Sequence, residues 1–432
     1  MLFANSAGTK NYGEDSRMKS RLFALFVCLL ATATLIGCFG SSSDDTVVTA
    51  STATITGTVL ESVTNTAIVG ATVTDGTNTA TSATGGTFTL SNVAVGSGKI
   101  MLTVEHSGHL DGYAVEPVTA GNITASVIYL VDKTGAEAKT ATNLAVASEA
   151  LTFPSTVKIE LDQNSVVDAA GNPVAAPVVS VIYNAPPKTA AVMDAFPGVF
   201  AGTPTDGTTE VPFETFGFVN VDLGAGNQLA AGKPATLTMP IDPAVSAVAP
   251  ATIPLWSFNV ATGKWVQEGT ATKVGTNYVA YPVTHFSWYN LDAPINNVSR
   301  MDVTVASYVS TLNEWEVAEG MAVDTDRTDL TKRVAGARVV VTATALNAVD
   351  GQWGTQAYDS VDNFSWREVK QTNSSGVASF NIPAGRKFSI KVTTSTGEKS
   401  GYMYEVVNSV ATAYINMGSF ATHGDTQAVN NR

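Results

Sequence analysis

Few side chains in this protein have the chemistry to react or to ligate a metal, and their spacing limits what they can do. Two of the 432 residues are cysteines, Cys28 and Cys38, both close to the start. Everything after Cys38 therefore lacks a thiol, which excludes disulfide frameworks, zinc–thiolate sites, Fe–S clusters and cysteine nucleophiles from that part. Of the four histidines, His285 stands two residues before Ser287 in His285-Phe286-Ser287. A serine hydroxyl is a weak nucleophile that needs a neighbouring base, and an imidazole, with an ordinary pKa of about 6.5, can take its proton. Residues i and i+2 of a regular strand share a face, so this spacing predicts that the two side chains meet. Asp324-x-Asp326-x-x-Asp329 offers the hard oxygen ligands that calcium takes. It lacks the glycine and distal glutamate of an EF-hand loop and carries Arg327 inside it, so a solvated loop is expected. His106 and His109 stand on either side of Gly108, where a strand gives way to a turn. That spacing is not expected to bring both rings onto one face, and no third ligand accompanies them. His423 lies in a polar tail, residues 421–432. The sequence has no Gly-rich phosphate loop, no G-x-S-x-G elbow and no convincing pair of catalytic carboxylates, and no cofactor is expected.

The start of the chain says where these residues are carried. Arg17, Lys19 and Arg21 precede an apolar core from Leu22 to Leu30 that fades into small residues, the order found in secretory signal peptides. The run from Leu22 to Ile36 is shorter than the roughly 20 apolar residues of a transmembrane helix, and Thr32 and Thr34 interrupt it. Ser41-Ser42-Ser43-Asp44-Asp45 reads as a solvated tether. Leu35-Ile36-Gly37-Cys38 resembles a bacterial lipobox. The resemblance implies cleavage before Cys38, diacylation of its thiol and a lipoprotein held in the membrane by acyl chains, each buried CH₂ contributing about 0.8 kcal/mol. Phe39-Gly40 lacks the aspartate that retains some lipoproteins in the inner membrane, which implies the outer membrane for a Gram-negative source and leaves the membrane face open. Met18 is the more natural start, so residues 1–17 read as an over-long gene start, 18–37 as the signal peptide and 38–52 as the lipidated tether.

Composition narrows the rest. Hydrophobic residues make up 44% of the chain and charged residues 14%, with a formal net charge of -13. No basic stripe is available to neutralise phosphates, which argues against nucleic acid as a partner. Acidity of this kind serves solubility and is compatible with divalent cations. Abundant valine and threonine favour strands. An exported protein without disulfides must rest on hydrophobic cores, and this length suffices for two to four of them.

Helical periodicity is almost absent after the tether. Short alternating runs separated by Gly, Asn, Asp and Pro predict an all-β chain of three tandem β-sandwich domains, transthyretin-like or Ig-like. In residues 53–131, Ile55-x-Gly57-x-Val59, Ile68-x-Gly70-Ala71-x-Val73, the turn Asp75-Gly76, Phe88-x-Leu90 and Ile100-x-Leu102-x-Val104 follow one another. At these residues the segment resembles the carboxypeptidase regulatory-like, transthyretin-like domain. That resemblance implies a small sandwich serving as a spacer or binding module, without catalysis. The acidic residue usual before the turn glycine is replaced by Ala83-Thr84, so no site depending on that carboxylate is expected. Residues 295–420 repeat the pattern in Gly336-Ala337-x-Val339-x-Val341, Asn373-Ser374-Ser375-Gly376, Phe380-x-Ile382 and Phe388-x-Ile390-x-Val392. An insertion from Asn347 to Lys370 holds Trp353, Tyr358, Phe364 and Trp366, which read as the core under a long loop or as an aromatic platform for a sugar.

The central region, residues 132–294, is larger. Its strands include Val157-x-Ile159-x-Leu161, Val178 to Tyr183, Phe213 to Asp222, Ala235 to Ile241 and a hairpin turning at Thr262-Gly263-Lys264. It resembles a sandwich domain shared by ankyrins, netrin receptors and bacterial surface proteins. His285-Phe286-Ser287 matches the tripeptide at which some such domains, and the autoproteolytic nucleoporin domain, cut themselves. The resemblance implies attack of Ser287 Oγ on the Phe286 carbonyl, an N→O acyl shift and hydrolysis of the ester. The expected function is that of a membrane-anchored, non-enzymatic structural or binding lipoprotein that meets a glycan, a protein or another cell surface. The alternatives are a self-processing protein cut at Phe286-Ser287 and an accessory subunit of an outer-membrane assembly or transport system.

Overall fold

The computed structural model describes residues 52–121, 123–184, 193–224, 226–243, 245–308, 329–344, 364–394, 397–403, 411–418 and 426–428. Cys28, Cys38, Asp324, Asp326, Trp353, Tyr358 and His423 lie outside the described residues. The fold is all-β, built of strands and short 3-10 turns.

The N-terminal strands fall where the alternation places them. They are β1 (Thr52–Glu61), β2 (Thr72–Thr74), β3 (Thr79–Thr81), β4 (Thr87–Ala94), β5 (Lys99–Glu105), β6 (Gly112–Pro117) and β7 (Ile123–Leu130). One sheet has the order β4-β1-β7 and the other β3-β2-β5-β6. Ile55, Val59, Val73, Leu90, Leu102 and Val104 fill the core they enclose, as a period of two requires of strands with one buried face.

The central strands are β8 (Glu137–Thr140), β9 (Glu149–Thr152), β10 (Lys158–Leu161), β11 (Val166–Val167), β12 (Val178–Asn184), β13 (Ala201–Thr203) and β14 (Val211–Asp222). They continue with β15 (Gln228–Leu229), β16 (Ala235–Pro240), β17 (Thr252–Asn259), β18 (Lys264–Val274), β19 (Asn277–Val283) and β20 (Trp288–Pro294). All but the β11–β15 pair join one 11-stranded sheet, ordered β8-β12-β14-β20-β17-β18-β19-β16-β10-β9, with β13 bridging β14 and β18. Bulges decide which side chains reach each face of this sheet. Plain alternation on β17 sends Ile253 and Leu255 into an aliphatic core and Trp256 and Phe258 to the opposite side, while the register shift opposite Leu255/Trp256 puts an extra residue, Glu268, into β18, so that Trp265 and Ala271 face different cores. A second shift between Thr215 and Phe218 accompanies the same division on β14, where Phe216 and Val219 face the first core and Phe213 and Phe218 the second. An added residue reverses the parity of everything after it.

The C-terminal strands are β21 (Val298–Ala306), β22 (Arg338–Thr344), β23 (Phe364–Gln371), β24 (Val377–Pro383), β25 (Phe388–Thr394), β26 (Gly397–Met403), β27 (Ala411–Asn416) and β28 (Thr426–Ala428). Their sheets, β24-β21-β27 and β23-β22-β25-β26-β28, reproduce the N-terminal topology strand for strand, with β28 added at one edge. β21 runs antiparallel to β24 and parallel to β27, just as β1 does with β4 and β7. The repeat reaches individual hydrogen bonds. Ser82 Oγ accepts from Ala71 N and donates to Ile68 O; Thr372 Oγ1 accepts from Ala337 N and donates to Val334 O. Gly86 and Gly376 take left-handed φ values of 72° and 70°. A Cβ on them would lie 2.4 Å from Val59 O and 2.8 Å from Val305 O, so both positions demand glycine. The stretch read as an insertion ends earlier than Lys370. β23 begins at Phe364, and Phe364 and Trp366 are buried in the core rather than displayed.

The three sets of sheets pack into one compact unit. The second core runs on from Phe196, Phe213, Trp256 and Trp265 of the central region into Val303, Val339, Phe380 and Ile390 of the C-terminal one. Phe196 stacks on Phe200 with centroids 4.0 Å apart and on Trp265 at 5.0 Å. The buried indoles are satisfied: Trp265 Nε1 donates to Pro197 O at 2.8 Å and Trp256 Nε1 to Asp292 O at 3.2 Å. On the C-terminal side, β22 is buried on both faces. Val339, Val341 and Ala343 serve its own core, while Arg338 meets the N-terminal region. Arg338 Nε donates to Glu116 Oε2 at 2.7 Å and its Nη2 to Oε1 at 2.9 Å, with side chains 3% and 1% exposed. Ser126 Oγ donates to the same carboxylate at 2.7 Å. Two more arginines tie this sheet to the central region. Arg386 Nη2 lies 3.0 Å from both Glu214 oxygens, and Arg367 Nε lies 2.5 Å from Asp194 Oδ1.

A buried charge that loses its partner costs about 3–5 kcal/mol, whereas replacing both partners by apolar groups of similar size is often neutral. Glu116→Ala is therefore expected to lower the unfolding free energy by about 3–5 kcal/mol, read from urea denaturation at neutral pH. The Glu116→Leu/Arg338→Met double variant should recover most of that loss. A single variant as stable as the parent would mean that water already reaches Arg338.

Candidate functional site

His285-Phe286-Ser287 does not sit in a strand. β19 ends at Val283 and β20 begins at Trp288, leaving residues 284–287 as a loop. Pro282, which has no N–H for the ladder, stands just before the break. The expected meeting of the two side chains on one strand face is thus corrected. His285 Nε2 lies 2.7 Å from Glu268 Oε1, and the Ser287 hydroxyl donates to Trp288 O at 3.3 Å. Val221 N binds Ser287 O at 3.0 Å, which fixes that end of the loop to β14.

Glu268, on β18, organises the site. It accepts from Ser257 Oγ at 2.8 Å and from Tyr289 Oη at 3.2 Å, besides pairing with His285. Tyr289 Oη also lies 2.8 Å from His285 O, and the two rings are 5.5 Å apart. Burial pushes the Glu268 carboxyl up, but hydrogen bonds from His285, Ser257 and Tyr289 outweigh it and hold the group below its ordinary range. The hydrogen bond to Glu268 raises the His285 imidazole against the effect of burial. The Nε2–H donated to Glu268 stabilises the imidazolium, and the Ser287 hydroxyl donates to Trp288 O rather than to His285, so the two side chains do not form a nucleophile–base pair. The arrangement braces a loop.

A buried polar group beneath the aromatic layer went unseen in the sequence. Asp292 of β20 is fully buried; it accepts from Asn290 Nδ2, and Asn290 Oδ1 accepts from Thr215 Oγ1 at 2.8 Å. Burial pushes the Asp292 carboxyl well above its ordinary range, against the hydrogen bonds of Thr215 and Asn290. The signal available was Asn290-x-Asp292 inside an apolar run, two polar residues on one face of a strand.

Of the aspartates considered for calcium, Asp329 is described. Its Oδ1 accepts from Thr331 N at 2.8 Å and Thr331 Oγ1 at 2.7 Å, capping a 3-10 turn. Among the described residues no group of three His, Cys, Asp or Glu side chains is placed to hold a metal. His106 and His109 differ from expectation. The turn in which His109 N donates to His106 O at 3.0 Å folds the chain back, and the two Nδ1 atoms stand 2.9 Å apart.

No protein-family model matches the chain, and no curated protein is similar to it. Among solved structures it is similar to the Bacillus anthracis TIE protein at 10% identity and a TM-score of 0.17, covering 85% of this chain and 51% of that one. The chain thus spans about half the length of that protein. It is similar to a variant of BcpA, the major pilin subunit of Bacillus cereus, at 9% identity and a TM-score of 0.17, covering 84% and 99%. A third likeness is to a Bacteroides fragilis protein described as membrane-associated and of unknown function, at 12% identity and a TM-score of 0.17, covering 55% and 99%. At such scores the backbones do not superpose as wholes. Among the described residues no helix is long and apolar enough to cross a membrane.

The Glu268–His285 pair sets a pH window. The raised His285 pKa contributes stability that is complete below about 6.5, its unfolded value, and fades as pH rises through the folded value. The lowered Glu268 pKa contributes stability present above about 4.3 and lost as pH falls through its folded value. Because His285 is nearly half exposed, solvent screening holds the pair to at most about 1 kcal/mol. His285→Ala is expected to remove the decline in unfolding free energy above neutral pH and to change little elsewhere. Boiled protein is expected to show no cut at Phe286-Ser287 on a denaturing gel. A split there, abolished by Ser287→Ala, would restore the self-processing reading.

Proposed function

We propose that this chain is a lipid-anchored cell-envelope protein whose β-modules form a rigid, non-enzymatic body for display or binding. The observation that carries the reading is the buried Arg338–Glu116 pair, together with Arg386–Glu214 and Arg367–Asp194. Modules meant to swing on linkers meet through small polar interfaces. Here the contact is desolvated, charge-matched and continuous with an aromatic core, which suits a body that holds its binding surfaces at fixed angles. The Ser287 hydroxyl donates to Trp288 O, and His285 pairs with Glu268 instead of with that serine, which favours display over self-processing.

The anchor is read from Leu35-Ile36-Gly37-Cys38, with the acyl chains in the outer membrane for a Gram-negative source. The three sequence segments, residues 53–131, 132–294 and 295–420, are taken as the displayed modules, the first and last as regulatory-like sandwiches. A glycan or a protein at a surface is the partner class.

The test is metabolic labelling of expressing cells with an alkyne-bearing palmitate. Label is expected on the full-length parent and absent from Cys38→Ser, which should also shift from the membrane pellet to the soluble envelope fraction. Equal labelling of the two forms, or none of either, would overturn the anchor and with it this reading.

A further inference from the structure

We propose that the turn joining β5 to β6 is a two-imidazole binding site for Cu²⁺, formed by Nδ1 of His106 and Nδ1 of His109. Three observations carry it. The first is the separation of 2.9 Å between the two nitrogens. Metal–imidazole bonds are about 2.0–2.1 Å, so two of them at a right angle span about 2.9 Å, whereas a tetrahedral angle requires about 3.3 Å. Square-planar or tetragonal nitrogen sites are those of Cu²⁺, which also heads the affinity order for divalent ions. The 2.9 Å is the length of the N–H···N hydrogen bond that joins the two rings; Cu²⁺ in place of that proton keeps the spacing, whereas tetrahedral Zn²⁺ requires the nitrogens to part.

The second observation is that the backbone fixes the pair. His109 N donates to His106 O, closing the turn, and His109 pairs with Asp132 in an isolated bridge that ties the turn to the chain after β7. Leu110 N donates to Val131 O at 2.8 Å and Lys133 N to Gly108 O at 2.9 Å. The two rings are thus held together by the main chain, and a cation arriving there finds its ligands already ordered. Gly108 N approaches His106 Nδ1 at 3.4 Å, which leaves His106 Nδ1 as the acceptor and assigns the shared proton to His109 Nδ1. Copper takes the place of that proton, which passes through solvent to His109 Nε2, so the ring remains neutral and no redox change is needed.

The third is access and charge. Both imidazoles are half-buried with the turn exposed around them, so a hydrated ion reaches them. A neutral imidazole is the form that ligates metal. Among the described residues no third His, Cys, Asp or Glu completes the set. The remaining equatorial positions fall to water or to a ligand brought by a partner, so the bound ion stays open to exchange.

The experiment titrates Cu²⁺ alone into the full chain in detergent, without a polyhistidine tag, using calorimetry and electron paramagnetic resonance. One ion per chain is expected, with hyperfine splitting from two imidazole nitrogens. His106→Ala and His109→Ala should each weaken binding at least about tenfold, the scale on which losing a supporting ligand acts. His285→Ala and His423→Ala should leave it unchanged. The proposal fails if no saturable binding is seen, if the spectrum shows fewer than two nitrogens, or if the His106 and His109 variants bind as the parent does. Circular dichroism of the variants separates lost ligation from lost fold, and the spectrum of the unmutated chain decides the nitrogen count independently of any variant.

Discussion

Arg338 has nowhere to put its charge except against Glu116. Both side chains are removed from water, and a guanidinium in that position is tolerated only while a carboxylate meets it in register. Burial pulls the arginine's pKa down, but Glu116 more than compensates and holds it above its ordinary range. Arg367, near the same contact, is not fully compensated: burial and the proximity of Arg338 leave it below its ordinary range despite Asp194. Such pairs contribute little net stability compared with an apolar replacement. Their effect is geometric, because a slide of β22 along β6 would separate the fork from its acceptor. The faces of the N-terminal and C-terminal sheets are fixed to each other by that requirement, and Arg386 fixes the C-terminal sheet to β14 in the same way.

The internal repeat explains why the same local devices recur under different side chains. A hydroxyl at Ser82 or Thr372 bridges an N–H and a carbonyl across the bend that leads into β2 or β22. The turn before β4 is closed by the main-chain bonds from Ala83 N to Thr87 O and from Gly86 N to Ala83 O, with the Thr87 hydroxyl donating to Thr84 O at 3.3 Å. The turn before β24 has the same bonds and adds the Asn373 carboxamide, which accepts from Ser375 N and Val377 N. The acidic position missing from the first copy is therefore dispensable for the turn, since the glycine geometry survives without it.

Much of this architecture was legible because alternation is a local property. Ile55-x-Gly57-x-Val59, Phe88-x-Leu90 and Phe388-x-Ile390-x-Val392 announce strands with one apolar face, and Asp75-Gly76 and Asp168 through Asn172 announce turns that the structure keeps. What escaped depends on position along a ladder or across the chain. The extra residue at Glu268 adds no residue type that a reader would notice, yet it reverses the parity of β18, so that Trp265 and Ala271 face different cores. Glu116 and Arg338 lie 222 positions apart, and each taken alone reads as a surface charge. The spacing of His285 and Ser287 fits one strand face, and the loop they occupy is hidden by residues that suit either state. His106 and His109 were separated on strand geometry, which the turn between them does not obey.

The pairing of β1 gives the molecule a grain. β1 is the first strand among the described residues, and it lies parallel to β7 from Thr54 opposite Ile123 to Glu61 opposite Leu130. The chain enters at one end of this pair and leaves toward the central sheet at the other. A pull applied at the N-terminus against a load held farther along the chain therefore runs along the strands and strains all of those hydrogen bonds together. The antiparallel bonds to β4 lie on the other side of the same strand and share the load. A junction of this kind must shear as a block, whereas a hairpin placed there would open bond by bond.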